Sequence, residues 1–330
     1  QGAADRCVLI LRHGRNQVHD SAAGGKCRSG SVGMTSSENP ICLVFRDKFL
    51  LPSEGFILTH YFGFDSLQPV FVANKLGWRA AEARCLAIPT SNSLLGRIAF
   101  NLGMTGATER FGAPPPVVMH AHFGRGGALS LPLAKALGIP LFVTYHGGDA
   151  TKETHSRTRV LPTLYQRRLK DLQAYATGFL CVSDFIGERL RSMGFPQQKL
   201  ITHHIGIDIR SLTAPSIRSA SEPYLFVGRM VEKKGVDDLI DAMRILQEDG
   251  LSIKLDIAGS GPNEAALRAR AAGLKHVRFL GWQSPAGLAT RLATCRGVIV
   301  PSKQASNGDC EGLPTVVLEA LRAGAPVIAT

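Results

Sequence analysis

Two glutamates flank a sequence that favours an anion-binding helix start. Glu311 and Glu319 enclose a Gly-Leu-Pro-Thr stretch and the beginning of an apolar helical pattern. Pro314 suits the first position of this helix, because its missing N–H would have no partner there. The N–H groups of the residues that follow then point outward with the positive end of the helix dipole, where a diphosphate can bind.

The two carboxylates fall on different sides of such a diphosphate. Glu319 lies one helical turn beyond Thr315 and can accept hydrogen bonds from the two hydroxyls of a ribose. Glu311 lies in the preceding loop, where a transferred sugar would be. The competing interpretation makes one glutamate a helix cap and the other a solvated surface residue.

A second set of charged residues follows a predicted strand. Arg229 and Lys234 lie in Gly-Arg-Met-Val-Glu-Lys-Lys-Gly, between strand Tyr224–Gly228 and the next predicted helix. Ligands of doubly wound sheets bind at this end of the strands. Both cations can therefore converge on a diphosphate and neutralise the charge of a leaving group. The alternative is a loop of exposed charges, and Lys233 is predicted to be one of them.

Three histidines stand at or near predicted strand ends. His146 ends a strand in Thr-Tyr-His-Gly-Gly-Asp, where it is either a functional group or a structural histidine. His120 and His122 share one face of another strand, but no carboxylate or third histidine is evident beside them, which disfavours a metal site. The chain also has no Asp-x-Asp triad, a spacing at which two carboxylates can hold a divalent ion against a diphosphate.

These residues need a fold that gathers strand ends at one edge. Buried apolar runs alternate with amphipathic helical patterns, which predicts an α/β protein with parallel sheets covered on both faces. The predicted strands are Ile41–Phe45, Pro69–Ala73, Val117–His122, Leu141–His146, Phe179–Ser183, Leu200–His204, Tyr224–Gly228, Ile253–Gly259, Val277–Gly281, Gly297–Pro301 and Pro326–Thr330. The predicted helices are Arg125–Leu137, Asp184–Met193, Val236–Glu248, Asn263–Ala272, Pro285–Ala293 and Pro314–Ala323.

The alternation is interrupted once, which predicts two doubly wound, Rossmann-like domains that face a cleft. The expected organisation is a poorly ordered extension over 1–38, an N-terminal Rossmann-like domain over 39–205, a linker over 206–223 and a C-terminal Rossmann-like domain over 224–330. Because the sequence stops on a strand, the second domain is expected to be incomplete.

The ordered set of motifs resembles the retaining GT-B glycosyltransferases of glycosyltransferase family 4, over roughly Ile41 to Thr330. The family's phosphate pair matches Arg229 and Lys234, and its Glu-x7-Glu motif matches Glu311 and Glu319. Asn-Gly-Asp-Cys-Glu-Gly, which ends at Gly312, is similar to the branch that builds bacterial exopolysaccharides of the colanic-acid type.

The resemblance implies that 39–205 is the acceptor-side domain and 224–330 the nucleotide-sugar-binding domain, and it implies roles for further residues. His146 would act beside the transferred sugar with Glu311, Arg229 and Lys234. The implied donor-binding residues are Gly259, Gly261, Leu280, Asp309, Gly312, Leu313, Pro314, Thr315, Val316 and Glu319. The implied acceptor-side residues are Ser53, Glu54 and Asp149, of which the first two form the Ser-Glu variant of a loop that is Gly-Gly in many members.

The resemblance also implies a reaction. A nucleotide-diphosphate sugar would be the co-substrate, with no other cofactor and no metal, and a glycan or lipid-linked oligosaccharide would be the acceptor. The anomeric configuration would be retained through front-face attack assisted by the departing phosphate. The alternatives are a sugar-nucleotide epimerase or sugar phosphorylase of the same fold, or a non-catalytic nucleotide-sugar-binding module.

The composition limits which binding partners and which cellular compartment are expected. The net charge of +12 suits nucleic acid, an anionic membrane surface or a phosphate-rich ligand, but no arginine-rich run or zinc spacing supports nucleic acid. The basic stretch Arg157–Lys170 is predicted to be a solvated helix, with contact to the inner membrane surface as the alternative. The seven cysteines are scattered without a C-x-x-C pair, and no apolar run approaches the ~20 residues that cross a bilayer. A cytoplasmic protein, with or without peripheral membrane contact, is therefore expected.

Overall fold

A computed structural model describes residues 39–49, 54–61, 66–76, 86–89, 93–104, 114–152, 162–207, 209 and 218–330. The predicted extension over 1–38, Ser53 and half of the predicted linker, residues 208 and 210–217, lie outside the described residues.

The first part of the chain forms a parallel sheet, as its buried apolar runs predict. In the described part of the chain this sheet has seven strands in the order β5-β3-β1-β6-β7-β8-β9, and β2 and β4 form a separate parallel pair. The strands are β1 Ile41–Phe45, β2 Lys48–Phe49, β3 Gln68–Ala73, β4 Lys75–Leu76, β5 Leu86–Pro89, β6 Pro116–His122, β7 Leu141–Tyr145, β8 Gly178–Cys181 and β9 Leu200–Thr202. The helices are α1 Gly55–Thr59, α2 Leu94–Leu102, α3 Gly124–Leu137, α4 Gly148–Thr151, α5 Leu164–Tyr175 and α6 Asp184–Ser192.

The last third of the chain forms a second parallel sheet. Its five strands in the described residues have the order β12-β11-β10-β13-β14. The strands are β10 Tyr224–Val227, β11 Leu255–Ala258, β12 Val277–Gly281, β13 Gly297–Val300 and β14 Val327–Ala329, and the helices are α7 Val236–Glu248, α8 Glu264–Arg270, α9 Pro285–Thr294 and α10 Thr315–Arg322. The predicted α/β class with doubly wound parallel sheets is confirmed.

The described residues fall into two compact units. Unit 1 consists of the described residues within Gln1–Thr144 and Pro162–Leu180. Unit 2 consists of those within Tyr145–Leu161 and Cys181–Thr330. In unit 1, β1 is buried along its whole length, as expected for a strand covered on both faces. In unit 2, two apolar clusters pack α7 and α10 against the second sheet. The predicted domain limits at 39–205 and 224–330 stay predictions.

Arg218, within the predicted linker, holds the ends of two helices of unit 2. Its guanidinium donates to the carbonyls of Leu292 at 2.9 Å and Gly324 at 3.1 Å, and also to those of Cys295 and Ala323. These carbonyls belong to the last turns of α9 and α10 or follow them, where the helix itself supplies no donor. A cation at this end also offsets the negative end of the helix dipole. The far end of α10 is thereby fixed.

Helix α2 of unit 1 presents apolar side chains to solvent. Ser93 caps its start by accepting from the N–H of Gly96 at 2.9 Å, and Gly103 ends it with a φ of 102°. Leu94, Leu95 and Leu102 are 64%, 78% and 69% exposed. The described residues contain no helix with the length and hydropathy that crossing a membrane requires.

Helix α5 packs against α3 and is hydrogen-bonded to α2. The Arg168 guanidinium donates to the carbonyl of Asn101 in α2 at 3.0 Å and to that of Ala128 in α3 at 2.9 Å. The same helix exposes Arg167 and Lys170 to solvent. Part of the basic stretch predicted as a helix over Arg157–Lys170 therefore lies in α5, whose Thr163–Gln166 capping box marks its start; residues 157–161 lie outside the described residues.

Candidate active site

The loops that follow the central strands of the second sheet are tied together through their backbones. The N–H of Met230, after β10, donates to the carbonyl of Ser260 at 2.9 Å, and the N–H of Gly259, after β11, donates to the carbonyl of Gly281 at 2.8 Å. Three neighbouring strands thus end in one connected set of loops. In a doubly wound sheet this is the edge at which ligands bind.

Two glycines allow these loops to approach so closely. A Cβ on Gly259 would lie 1.9 Å from the carbonyl oxygen of Gly228, and one on Gly261 would lie 2.4 Å from that of Met230. Gly259 also has a φ of 135°, which side chains disfavour. The structure thus accounts for both glycines through loop packing, and their predicted contact with a donor stays a prediction.

The predicted phosphate pair occupies the loop after β10. Arg229 is exposed, and Lys234 ends a short 3-10 turn over Glu232–Lys234. The Lys234 ammonium lies 3.3 Å from Oε1 of Glu311. The structure therefore brings together two residues that sequence analysis assigned to the same reaction centre.

The prediction that Lys233 is an exposed charge is wrong. Its side chain is only 19% exposed, and its ammonium lies 3.2 Å from both Asp309 Oδ1 and Glu311 Oε1. Burial acts to lower the pKa of Lys233, but the Glu311 and Asp309 carboxylates outweigh it and raise the pKa. Lys233 is thus a charged, partly buried member of the site.

Asp309 sits between two lysines. Its Oδ2 lies 3.3 Å from the ammonium of Lys152, and its Oδ1 is the oxygen that contacts Lys233. The loop that carries it is anchored at Ser306, whose N–H and hydroxyl each contact Glu232 at 2.8 Å. The carboxylate of this predicted donor-binding residue is therefore directed at cations of the protein.

The start of α10 differs from the prediction by one residue. Pro314 is the N-cap, with a φ of −68° and a ψ of 112°, and the helix begins at Thr315. A proline at the cap has no side-chain oxygen with which to bond the first turn, and no side-chain cap is present among the described residues. Val316 is buried in the same apolar cluster against which Leu280 packs, so its backbone is what it can offer to a ligand.

Glu319 follows one turn inside α10 on the same face as Thr315, as predicted. It is half-buried, and burial raises its pKa above the ordinary value of 4.5. Leu313, Gly312 and Glu311 precede the helix start, so the paired glutamates do bracket it.

The segment that carries His146 packs against the loop that carries Glu311. The Asp149 carboxylate accepts from the N–H groups of His146 at 3.1 Å and Gly147 at 2.9 Å, which fixes the turn after β7. The Thr151 hydroxyl accepts from the N–H of Cys310 at 2.8 Å. These contacts give Asp149 a structural role, and its predicted acceptor role stays a prediction.

Gly312 completes this contact. A Cβ placed on it would lie 2.2 Å from the carbonyl oxygen of His146 and 2.8 Å from Val182 Cγ2. The two segments therefore meet backbone to backbone. His146 and Glu311 are thereby carried on adjoining backbone segments of unit 2.

Glu54 belongs to unit 1, whereas the other described site residues belong to unit 2. It is buried, and the Arg46 guanidinium donates to its two carboxylate oxygens at 2.9 and 2.5 Å. This ion pair explains how a buried carboxylate is tolerated.

His120 and His122 lie in the core of unit 1. The Tyr61 hydroxyl is 2.6 Å from His120 Nδ1 and 2.9 Å from His122 Nε2, and His120 Nε2 is 2.7 Å from the Thr144 hydroxyl. Both histidines are buried at the end of β6. Among the described residues no group of three metal-ligating side chains is present.

The two doubly wound sheets, with their connected strand-end loops, place the chain in the GT-B class. Residues 68–211 match the family model described as Glycosyltransferase Family 4, and residues 214–330 match the model described as Glycosyl transferases group 1. The chain belongs to this family of glycosyltransferases.

Two named relatives are glycosyltransferases named for the biosynthesis of colanic acid and amylovoran. WcaL of Salmonella typhimurium, a glycosyltransferase named for colanic acid biosynthesis, is 28% identical over 64% of this chain and 53% of its own length. The amylovoran biosynthesis glycosyltransferase AmsK of Erwinia amylovora is 30% identical over 63% of this chain and 52% of its own length. The chain spans about half the length of these curated relatives.

Solved structures share the fold. Anabaena HepE, crystallised with UDP and glucose, superposes with a TM-score of 0.67 at 16% identity, over 88% of this chain and 80% of its own. Sucrose-phosphate synthase from Thermosynechococcus elongatus superposes with a TM-score of 0.65 at 17% identity, over 88% and 81%.

The close contact at Gly312 predicts the effect of one added methyl group. Gly312→Ala should lower the free energy of unfolding by about 1–3 kcal/mol, because a backbone carbonyl cannot move aside cheaply. Gly206→Ala is the matched control, since no atom of the described residues lies within 4 Å of a Cβ there. Thermal unfolding of both variants measures the difference. Equal midpoints would show that the two segments do not meet as described.

The burial of Glu319 predicts a pH-dependent stability. Because its folded-state pKa is raised, the ionised form costs stability at neutral pH, and that cost disappears as pH falls through the raised pKa towards 4.5. Glu319→Gln should therefore stabilise the chain near pH 7, and the gain should shrink on acidification. Denaturant unfolding at several pH values measures it, with the exposed Glu248→Gln as control. A gain that grew towards low pH would contradict the assigned burial.

Proposed function

We propose that this chain is the donor-binding and catalytic part of a retaining, metal-independent glycosyltransferase that moves a sugar from a nucleotide-diphosphate donor. The observation that carries the proposal is the contact of Lys234 with Glu311 immediately before the N-terminus of α10, which no side chain among the described residues caps. A cation, a carboxylate and a positively polarised helix end are thus gathered at the carboxyl edge of a doubly wound sheet.

The diphosphate is assigned to the cations and the helix start. Arg229 and Lys234 would meet the charge that develops on the leaving group, and the first N–H groups of α10 would bind its oxygens. These fixed donors are the support for a reaction that needs no metal ion. Glu319, one turn along the same helix, would accept hydrogen bonds from the ribose.

The sugar is assigned to Glu311 and His146. Glu311 would hold sugar hydroxyls and oppose positive charge that develops as the glycosidic bond breaks. His146, on the adjoining backbone segment, would contact the sugar from the other side. Retention follows if the acceptor attacks from the face that the departing phosphate leaves, with that phosphate accepting the acceptor's proton.

The substrates are proposed from the relatives. The names of WcaL and AmsK refer to colanic acid and amylovoran, which supports a glycan or lipid-linked acceptor in polysaccharide synthesis. HepE was solved with UDP-glucose, so UDP-glucose is the first donor to examine.

Transfer from a panel of nucleotide sugars tests the proposed reaction. Released nucleotide should appear with one donor and a lipid-linked acceptor, it should persist in excess EDTA, and the product should keep the donor's anomeric configuration. Lys234→Met should lower turnover on the order of 10²–10³-fold, the scale of removing one preorganised donor. The exposed Arg189→Met is the charge-matched control.

Each alternative has its own outcome in that assay. Product formed with inorganic phosphate would identify a phosphorylase, and an epimerised donor without acceptor would identify an epimerase. Donor binding with no turnover for any acceptor would favour a binding module. Loss of activity in EDTA that a divalent ion restores would overturn metal independence.

We also propose that unit 1 contacts an anionic membrane surface through α2. The exposed leucines of this helix would enter the interface, and Arg167 and Lys170 on the neighbouring α5 would attract anionic headgroups. A lipid-linked acceptor would then be reached at the surface where it resides.

Vesicle sedimentation tests this contact. The chain should bind vesicles of phosphatidylcholine with phosphatidylglycerol, less so at high salt, and the double variant Leu95→Ser, Leu102→Ser should bind several-fold more weakly. Ile245→Ser, at a 59% exposed position of α7, is the matched control. Equal binding by the double variant, or no binding by the unaltered chain, would reject the proposal.

A further inference from the structure

Two adjacent lysines contact Glu311, but they are held differently. The Lys233 ammonium contacts two carboxylates, those of Asp309 and Glu311 at 3.2 Å each, and also lies 3.5 Å from the carbonyl of Cys310. Among the described residues, the Lys234 ammonium has one ion pair, with Glu311 at 3.3 Å. Lys233 is therefore the more firmly anchored cation.

Two further contacts hold the turn that carries Lys233 and Lys234. The carbonyl of Lys233 accepts from the N–H of Lys303 at 2.9 Å, and the neighbouring Glu232 binds Ser306. The turn that carries both lysines is thus attached to the loop that leads to Asp309. Since the anchor of Lys233 lies two residues from Glu311, it moves with that loop.

A diphosphate would act unequally on the two lysines. Its negative charge competes with Glu311 for nearby cations, and the competition is strong where side chains are partly buried. Lys234 would give up a single carboxylate, whereas Lys233 would have to leave two. Asp309 also repels the diphosphate, which argues against a direct contact between the two.

We propose, on the basis of the function proposed above, that Asp309 is a positioning residue whose contact with Lys233 keeps Glu311 directed at the sugar while the diphosphate draws Lys234 away. Lys234 is then the exchangeable cation of the site and Lys233 the fixed one. Glu311 then stays in place when the donor binds, because its second cation, Lys233, does not follow the phosphate.

The Asp309 carboxylate also links the loop that carries Glu311 to the segment that carries His146. Lys152, which contacts Asp309 at 3.3 Å, directly follows Thr151, whose hydroxyl binds the N–H of Cys310. Asp309 therefore joins the segment that carries His146 to the loop that carries Glu311. The Lys152 side chain is 51% exposed, so its ion pair is the weaker of the two.

Kinetics separate positioning from donor binding. Asp309→Asn should lower kcat about 10- to 100-fold, the usual cost of removing a group that orients a functional side chain, with the affinity for nucleoside diphosphate changed less than about twofold. Asp309→Glu should restore much of kcat. Lys234→Met should instead weaken nucleoside diphosphate binding. Lys303→Met, which removes the ion pairs with Asp237 and Asp238 and leaves Glu311 untouched, is the control.

A measurement without substrate separates this proposal from the proposed function. In acetic anhydride labelling read by tandem mass spectrometry, Lys233 should react slowly in the unaltered chain and several-fold faster in Asp309→Asn, because loss of the carboxylate lowers its pKa and frees the amine. Unchanged labelling would overturn the anchoring even if transfer is observed. If labelling of Lys233 is slow in the unaltered chain and faster in Asp309→Asn, but the chain transfers no sugar, the proposed function is rejected and the anchoring of Lys233 is supported. Loss of nucleotide affinity in Asp309→Asn would make Asp309 a donor-binding residue and refute the positioning role.

Discussion

Close contact between backbones determines where the charges of unit 2 lie. Gly259 and Gly261 let the loops after β10 and β11 meet without intervening side chains, and Gly312 does the same for the segment that carries His146. Once these backbones are in contact, the side chains that leave them have little choice of position. The lysines of the first loop then face the acids before α10.

The charged groups are organised by the requirement that buried charges be paired. Lys233 and Asp309 are both mostly buried, and each has two partners of opposite charge. Glu54 in unit 1 meets the same requirement through Arg46. This requirement does not apply to Arg229, because it is exposed. Arg229 has no ion pair among the described residues, so its charge is available to a ligand.

Much of the fold could be predicted from the sequence, because buried parallel strands and amphipathic helices have strong local patterns. Strands β1 and β12 and helix α7 have the predicted limits, and most other elements differ by one or two residues at their ends. The pairing of Lys233 could not be predicted in the same way. It depends on a loop more than seventy residues further along the chain, and nothing local distinguishes Lys233 from its neighbour. Helix α10 begins one residue later than predicted, at Thr315, because proline's fixed φ suits both the cap and the first helical residue. Arg218 was missed because its partners are carbonyls, which every residue has.

The asymmetry of α10 has a consequence for how the unliganded chain behaves. At one end Arg218 supplies donors to the carbonyls that the helix leaves over, and at the other end no side chain among the described residues serves the first N–H groups. The helix is therefore completed at its C-terminus and still open at its N-terminus. An anion that binds there supplies the missing cap, so its binding energy adds to the folding free energy of the same helix. Ligand binding and the stability of this part of unit 2 are in that sense one equilibrium, and under the proposed function a bound nucleotide would act as a structural component as well as a substrate.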